Sequence, residues 1–275
     1  MIRRPPRSTQ SRSSAASDVY KRQGYTVGMS LGPLLGSYLV NAFSYNIMFY
    51  ASAGLALGSV IILYNIRETL PDPKKFSLQV IRVQKHEAFE RTALKPAIIM
   101  FLLAFSTGST LTLAPDMSEW LGVQNKGLFF AWYTVSSLLI RLFASKSSDK
   151  YGRVPVLIIS SLVLAAAMAI LALAHSPFML LLSATIFGLS WGMNGPTIAA
   201  WTVDRCAPEN RGKAVASMYI ALEAGIGIGA YLSALIYQNL SSHFVYAFMM
   251  PSVLALVSFG LLMVWRKKQA LLVVR

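Results

Sequence analysis

The chain has 275 residues, 55% of them hydrophobic and only 13% charged, with a mean hydropathy of +0.53. Soluble domains carry about 25% charged residues, so this composition excludes an ordinary soluble domain and points to a chain embedded in a bilayer. A net charge of +14 would suggest nucleic acid in a soluble protein, but here the basic residues lie between apolar runs, and the single Cys206 excludes a disulfide framework or a paired-cysteine metal site.

Residues 1–23, MIRRPPRSTQSRSSAASDVYKRQ, are rich in Arg and Ser and have no apolar run of signal-peptide length. The segment reads as a basic tail, and it resembles the conceptual translation of sequencing-adapter read-through. On the second reading it is not native, and the natural chain is expected to extend upstream of Gly24.

A helical span needs about 20 mostly apolar residues. Eight such spans are predicted, at 24–43, 46–65, 95–115, 126–145, 154–174, 177–201, 213–236 and 244–265. The first carries Gly24, Gly28, Gly32 and Gly36 at every fourth position, with Pro33 beside the third. That spacing makes one flat stripe on a helix, where a neighbouring backbone can approach closely. An even number of spans puts both ends on one side. Eighteen of the Lys and Arg residues after position 23 then fall on or within a turn of segments 66–94, 146–153, 202–212 and 266–275, while Lys126 stands alone on the other side. The bias predicts a multi-pass protein of the cell (inner) membrane with both termini cytoplasmic. Segment 66–94 is the only long polar connection, and its FSLQVIRVQKHEAFERTAL stretch is amphipathic enough for a surface helix.

The loop after the fourth span contains Asp149, Lys150, Gly152 and Arg153 as D-K-x-G-R. Gly152 permits a tight turn, Asp149 can accept from Arg or a helix N-terminus, and Arg153 can anchor the next span. This loop resembles the signature turn between the second and third helices of each half of major facilitator superfamily transporters, with Ser145 standing for the usual Gly and Ser147 for the usual Leu. Gly28, Gly32, Pro33 and Gly36 resemble the same superfamily's fifth-helix motif, typical of proton-driven exporters.

The resemblance implies an all-α polytopic bundle in which eight of twelve transmembrane helices are present. Residues 24–65 would be the last two helices of the first half, 66–94 the central cytoplasmic linker, and 95–275 the six-helix second half. The first four helices of the same chain would be missing partners. Repeat symmetry implies that helix eleven should mirror helix five, and Ala221, Gly225, Gly229 and Ser233 recur there at every fourth position. Both stripes are expected at the contact surface of two rocking bundles. The loop from Asp204 to Gly212 also resembles the family's ten–eleven connection.

Glu223 is the only acidic residue deep within a span. Burying a carboxylate there costs about 2.5–3.5 kcal/mol on insertion scales, so Glu223 is either a proton-coupling site or a protonated structural group. Trp191 and Asn194 on helix ten, Thr107 and Thr110 on helix seven, and Tyr133 on helix eight are candidates for contact with an amphipathic organic substrate, or for helix packing. Gly188, Gly192 and Gly195-Pro196 are expected to loosen helix ten. No nucleotide-binding loop, metal cluster or nucleophile–base pair is evident.

The leading expectation is a proton-coupled exporter of small organic or drug-like molecules, with no cofactor, the proton gradient as energy source, and lipid and substrate as partners. The alternatives are an uptake symporter for a sugar, organic acid or other metabolite, and a chain that does not transport by itself. A polytopic membrane enzyme is disfavoured because His86, His175 and His243 lie far apart.

Overall fold

The computed structural model describes residues 28, 31, 32, 34–64, 89–144 and 147–273, with side chains to position 267 except those of 143 and 144. Among these residues every regular element is helical. Helix α1 covers 34–42 and α2 Tyr45–Tyr64. There follow α3 (Leu94–Trp120), α4 (Leu128–Ala144), the short α5 (Ser147–Tyr151), α6 (Arg153–Ala172), α7 (Pro177–Asp204), α8 (Arg211–Tyr237) and α9 (Phe244–Val273). Among the described residues, six helical segments are long and apolar enough to cross a membrane, and Leu128–Leu142 is a shorter apolar one. The surface helix expected within 76–94 lies largely outside the described residues. Its last part is extended at Glu90 and forms a 3-10 turn over Arg91–Ala93.

Local chemistry sets the helix ends. Ser176 caps α7 by accepting from the Met179 amide at 3.3 Å, and Pro177 fills the first helical position, where no donor is needed. Glu90 accepts from the Thr92 amide before α3. Gln238 ends α8 in the left-handed region at φ 49°. Within the spans, hydroxyls return to carbonyls of the preceding turn, as in Ser109 to Phe105, Thr110 to Ser106 and Thr202 to Ile198. Without water to satisfy them, this is the cheapest way to carry Ser and Thr through a bilayer.

Residues 91–273 form one bundle. Its core is filled by Leu103, Leu113, Met117, Leu164, Met168, Leu171, Leu180 and Phe248, all essentially inaccessible. Small residues bring two helix pairs into backbone contact. Along α3 and α8, a Cβ built on Gly108 would stand 2.1 Å from the Ile226 carbonyl oxygen. One on Gly225 would stand 2.5 Å from Phe101 O, and one on Gly229 2.7 Å from Phe105 O. The Ser109 and Ser233 hydroxyls meet across this seam at 2.6 Å. Along α4 and α7, a Cβ built on Gly188 would stand 2.2 Å from the Tyr133 carbonyl oxygen, and one on Gly192 2.7 Å from that of Ser137.

These seams correct two expectations. The Gly225–Gly229–Ser233 stripe packs against α3 within its own bundle, so it is not free to form the contact between halves. Gly188 and Gly192 bind helix ten to helix eight, and of that group only Gly195 meets nothing within 4 Å. Helix α2, by contrast, has no buried residue, and Tyr50, Leu55 and Ile62 are each more than 70% exposed. Of the first-span stripe, Gly28 and Gly32 meet nothing within 4 Å, and Gly36 meets only Met48 Sδ at 3.7 Å. The side chain of Pro33 lies outside the described residues.

Candidate functional site

At one end of the bundle, the chain leaves α5 through Gly152 at φ +91°, a conformation that glycine adopts without strain. The turn delivers Arg153 to the first position of α6. Its guanidinium donates to Asp149, to Ser148 Oγ at 2.7 Å and, through Nε, to Asp204 Oδ2 at 2.9 Å. Arg153 thus joins the α5 turn to the end of α7. Both carboxylates are more than half exposed, so the cluster contributes little stability by itself, since exposed pairs give about 0–1 kcal/mol. Its use is positional: it fixes the distance between two helix ends. Lys150 turns elsewhere, with Nζ 5.0 Å over the Tyr151 ring.

The sequence placed Asp149 and Arg153 together but missed Asp204 as the second carboxylate. The available signal was position, because Asp204 is the first acid after the apolar run of α7.

At the opposite end, a cavity of about 450 Å³ is lined by Asn41, Glu119, Gly122, Val123, Gln124 and Lys126. Asn41 donates to the Gln124 carbonyl at 3.0 Å and so links α1 to the α3–α4 loop. Lys126 pairs with Glu119 there, and that hydrogen bond chiefly raises the ammonium pKa above its ordinary value.

The mid-span candidates divide into three groups. Tyr133 and Trp191 are brought together by Phe187, which the sequence reading did not single out. The Tyr133 ring meets Phe187 edge-on at 5.3 Å, and Trp191 stacks on Phe187 at 6.4 Å with planes 12° apart. Both Tyr133 and Trp191 are partly buried against the core.

Asn194 sits elsewhere. It is fully buried between α6 and α7, where its Oδ1 accepts from Ser160 and its Nδ2 donates to Ser190 Oγ at 2.9 Å. Ser190 in turn donates to the Ser160 carbonyl. Thr110 is likewise buried, its hydroxyl bonded to the Ser106 and Thr107 carbonyls. On the next turn of α3, the buried Thr107 hydroxyl has no hydrogen-bond partner among the described residues.

Glu223 lies alone on an open face. It is two residues from Gly225, hence about 200° around α8 at 100° per residue, roughly opposite the seam with α3. The face it shares with Ile220 and Gly227 is exposed. Glu223 lies near the middle of α8, and the structure adds the direction in which that position faces.

A bundle of bilayer-length apolar helices tied by a charged turn at one end defines a multi-pass, all-α membrane protein. The chain belongs to the Major Facilitator Superfamily, whose family model matches residues 96–271. This is a family of transporters, and the chain is not an enzyme. It is similar to the multidrug resistance protein MdtH of Klebsiella pneumoniae (strain 342), 31% identical over 97 residues, which is 35% of this chain and 24% of that protein. MdtH proteins of Salmonella newport (strain SL254) and Salmonella agona (strain SL483) are each 30% identical over the same shares. The match thus spans about a quarter of the length of these relatives.

Proposed function

We propose that the chain forms part of a secondary active transporter that exports small organic, drug-like molecules in exchange for protons, by alternating access. The observation that carries this reading is the placement of Glu223: a lone carboxyl in mid-span on the one face of α8 that its own bundle leaves open. A charged carboxylate facing hydrocarbon or a closed helix contact is costly, whereas the protonated acid is tolerated. Protonation therefore lets that face close against another bundle, and water entry favours release of the proton. The face opens and closes with the proton count, as an exchanger requires.

The Tyr133 and Trp191 rings, held by the buried Phe187, supply an apolar wall for an amphipathic substrate, and Thr107 adds a buried hydroxyl with no partner among the described residues. The name of the MdtH relatives, multidrug resistance protein, agrees with an organic substrate. The Arg153 cluster and the Lys126 region lie at opposite ends, where two gates would be. The excess of basic residues at the Arg153 end favours a cytoplasmic location for that end and for both termini.

The test is Glu223→Gln in the intact transporter, reconstituted in vesicles with an imposed pH gradient. The variant is expected to express and fold normally yet lose gradient-driven movement, while retaining gradient-independent exchange of labelled substrate. Coupling at the wild-type level would reduce Glu223 to a structural group. Wild-type substrate movement in the same direction as protons would identify an uptake symporter instead.

A further inference from the structure

The Arg153 end of the bundle holds a second set of cations. Lys95, in the first turn of α3, places Nζ over the ring of Trp265 on α9, 5.5 Å from its centroid. Trp265 packs against Trp201 of α7 with centroids 6.3 Å apart. Arg205, the residue after α7, places Cζ 5.8 Å over the Trp201 ring and donates through Nε to the Thr92 carbonyl at 3.2 Å. Four side chains from three helix ends therefore run in the order cation, ring, ring, cation. Trp201 is 5% exposed and fixed by the core, whereas Lys95, Arg205 and Trp265 are half-buried at the rim.

These cations differ from Arg153, which is neutralised by two carboxylates. Among the described residues, no carboxylate lies within 4.0 Å of Lys95 or Arg205. A ring face attracts a cation without using up its N–H donors, so both groups keep donors for an outside acceptor. Arg266 and Lys267, exposed and next to Trp265 in sequence, add positive potential. Tryptophan at a helix end sits at head-group level in a bilayer, and the exposed Met263 and Val264 precede Trp265 on the hydrocarbon side.

We propose that Lys95 and Arg205, braced by Trp265 and Trp201, bind the head group of an anionic phospholipid in the leaflet at this end of the protein. The phosphate accepts from the ammonium and the guanidinium, and an acyl chain runs along α9 past Val264. The site is separate from the mid-span groups assigned to substrate and proton, and it holds whichever way substrate moves.

The chain is reconstituted in phosphatidylcholine nanodiscs to which phosphatidylglycerol, brominated on its acyl chains, is added. Tryptophan quenching is read as the difference between the wild type and a W201F/W265F variant, which isolates these two rings. Brominated phosphatidylglycerol is expected to quench them at lower mole fraction than brominated phosphatidylcholine. Lys95→Gln or Arg205→Gln is each expected to weaken that preference about fivefold, as removal of one near-surface cation does. The charge-preserving K95R/R205K is expected to retain it, and the neighbouring R266Q/K267Q to weaken it less than K95Q/R205Q does. Equal quenching by the two lipids in the wild type overturns the site. So does a preference that survives in K95Q/R205Q, and so does one lost as fully in K95R/R205K or R266Q/K267Q.

Discussion

Replacing Gly108 by Ala tests whether α3 and α8 are held together by backbone contact. The added Cβ would lie 2.1 Å from the Ile226 carbonyl oxygen and 2.7 Å from the Ala230 nitrogen. Both are main-chain atoms inside a helix, so neither can turn aside, and the helices must part by roughly 1 Å to relieve the clash. That movement stretches the Ser109–Ser233 bond, now 2.6 Å, beyond useful length. It also loosens the contacts at Gly225 and Gly229. Overpacking of a tight interior costs about 1–3 kcal/mol, and a lost hydroxyl pair within a membrane protein costs about 0.6 kcal/mol more. Helix propensity returns at most about 1 kcal/mol for Gly→Ala. The net expectation is a loss of about 2 kcal/mol.

The matched control is Gly227→Ala on the open face of α8, where an added Cβ meets nothing within 4 Å. It should be neutral or slightly stabilising. Reversible unfolding of the two variants in mixed micelles, followed by far-ultraviolet circular dichroism, gives the comparison. Equal stabilities for G108A and G227A would refute the argument that this seam is closed by backbone contact.

Other outcomes follow from single contacts. Asn194→Leu leaves Ser160 and Ser190 without their shared partner and should cost about 1–3 kcal/mol in the same unfolding assay. It should leave substrate preference unchanged in transport, because the amide faces α6. Trp191→Ala, in contrast, should change the substrate profile more than stability, which competition transport with a panel of aromatic amphipaths would detect. Asp204→Asn removes one of two carboxylates from Arg153. It should lower stability by under about 1 kcal/mol yet slow transport, and an unchanged turnover rate would show that the link is dispensable.

The spans were legible because bilayer thickness imposes a length: the helices from Tyr45 to Tyr237 agree with their predicted bounds to within about five residues, whereas α9 runs to Val273 rather than 265. Exceptions have local causes. Asn125, Lys126 and Gly127 belong to a turn, so α4 starts later than expected. Helix α3 runs on through Asp116 and Glu119 to Trp120, because acids at a bilayer surface need not end a helix.

Direction was harder to read than depth. In a soluble helix, apolar periodicity shows which face is buried. In a bilayer both faces are apolar, so nothing in the sequence separated Asn194, turned to α6, from Trp191, turned to Phe187. The Gly225–Gly229 stripe announced a close helix contact, but its spacing carries no information about which helix fills it. The motif turn was legible at Asp149, Gly152 and Arg153 because its residues adjoin in sequence. Asp204, 51 residues further on, comes into range only through folding.

The most direct test of proton-coupled export is a simultaneous record of substrate and proton movement by the intact transporter in proteoliposomes carrying an internal pH dye. Exchange predicts that substrate moving one way acidifies the side it leaves, and that collapsing the pH gradient stops uphill movement. Uphill export that persists without a pH gradient, or substrate and protons moving together, would contradict it.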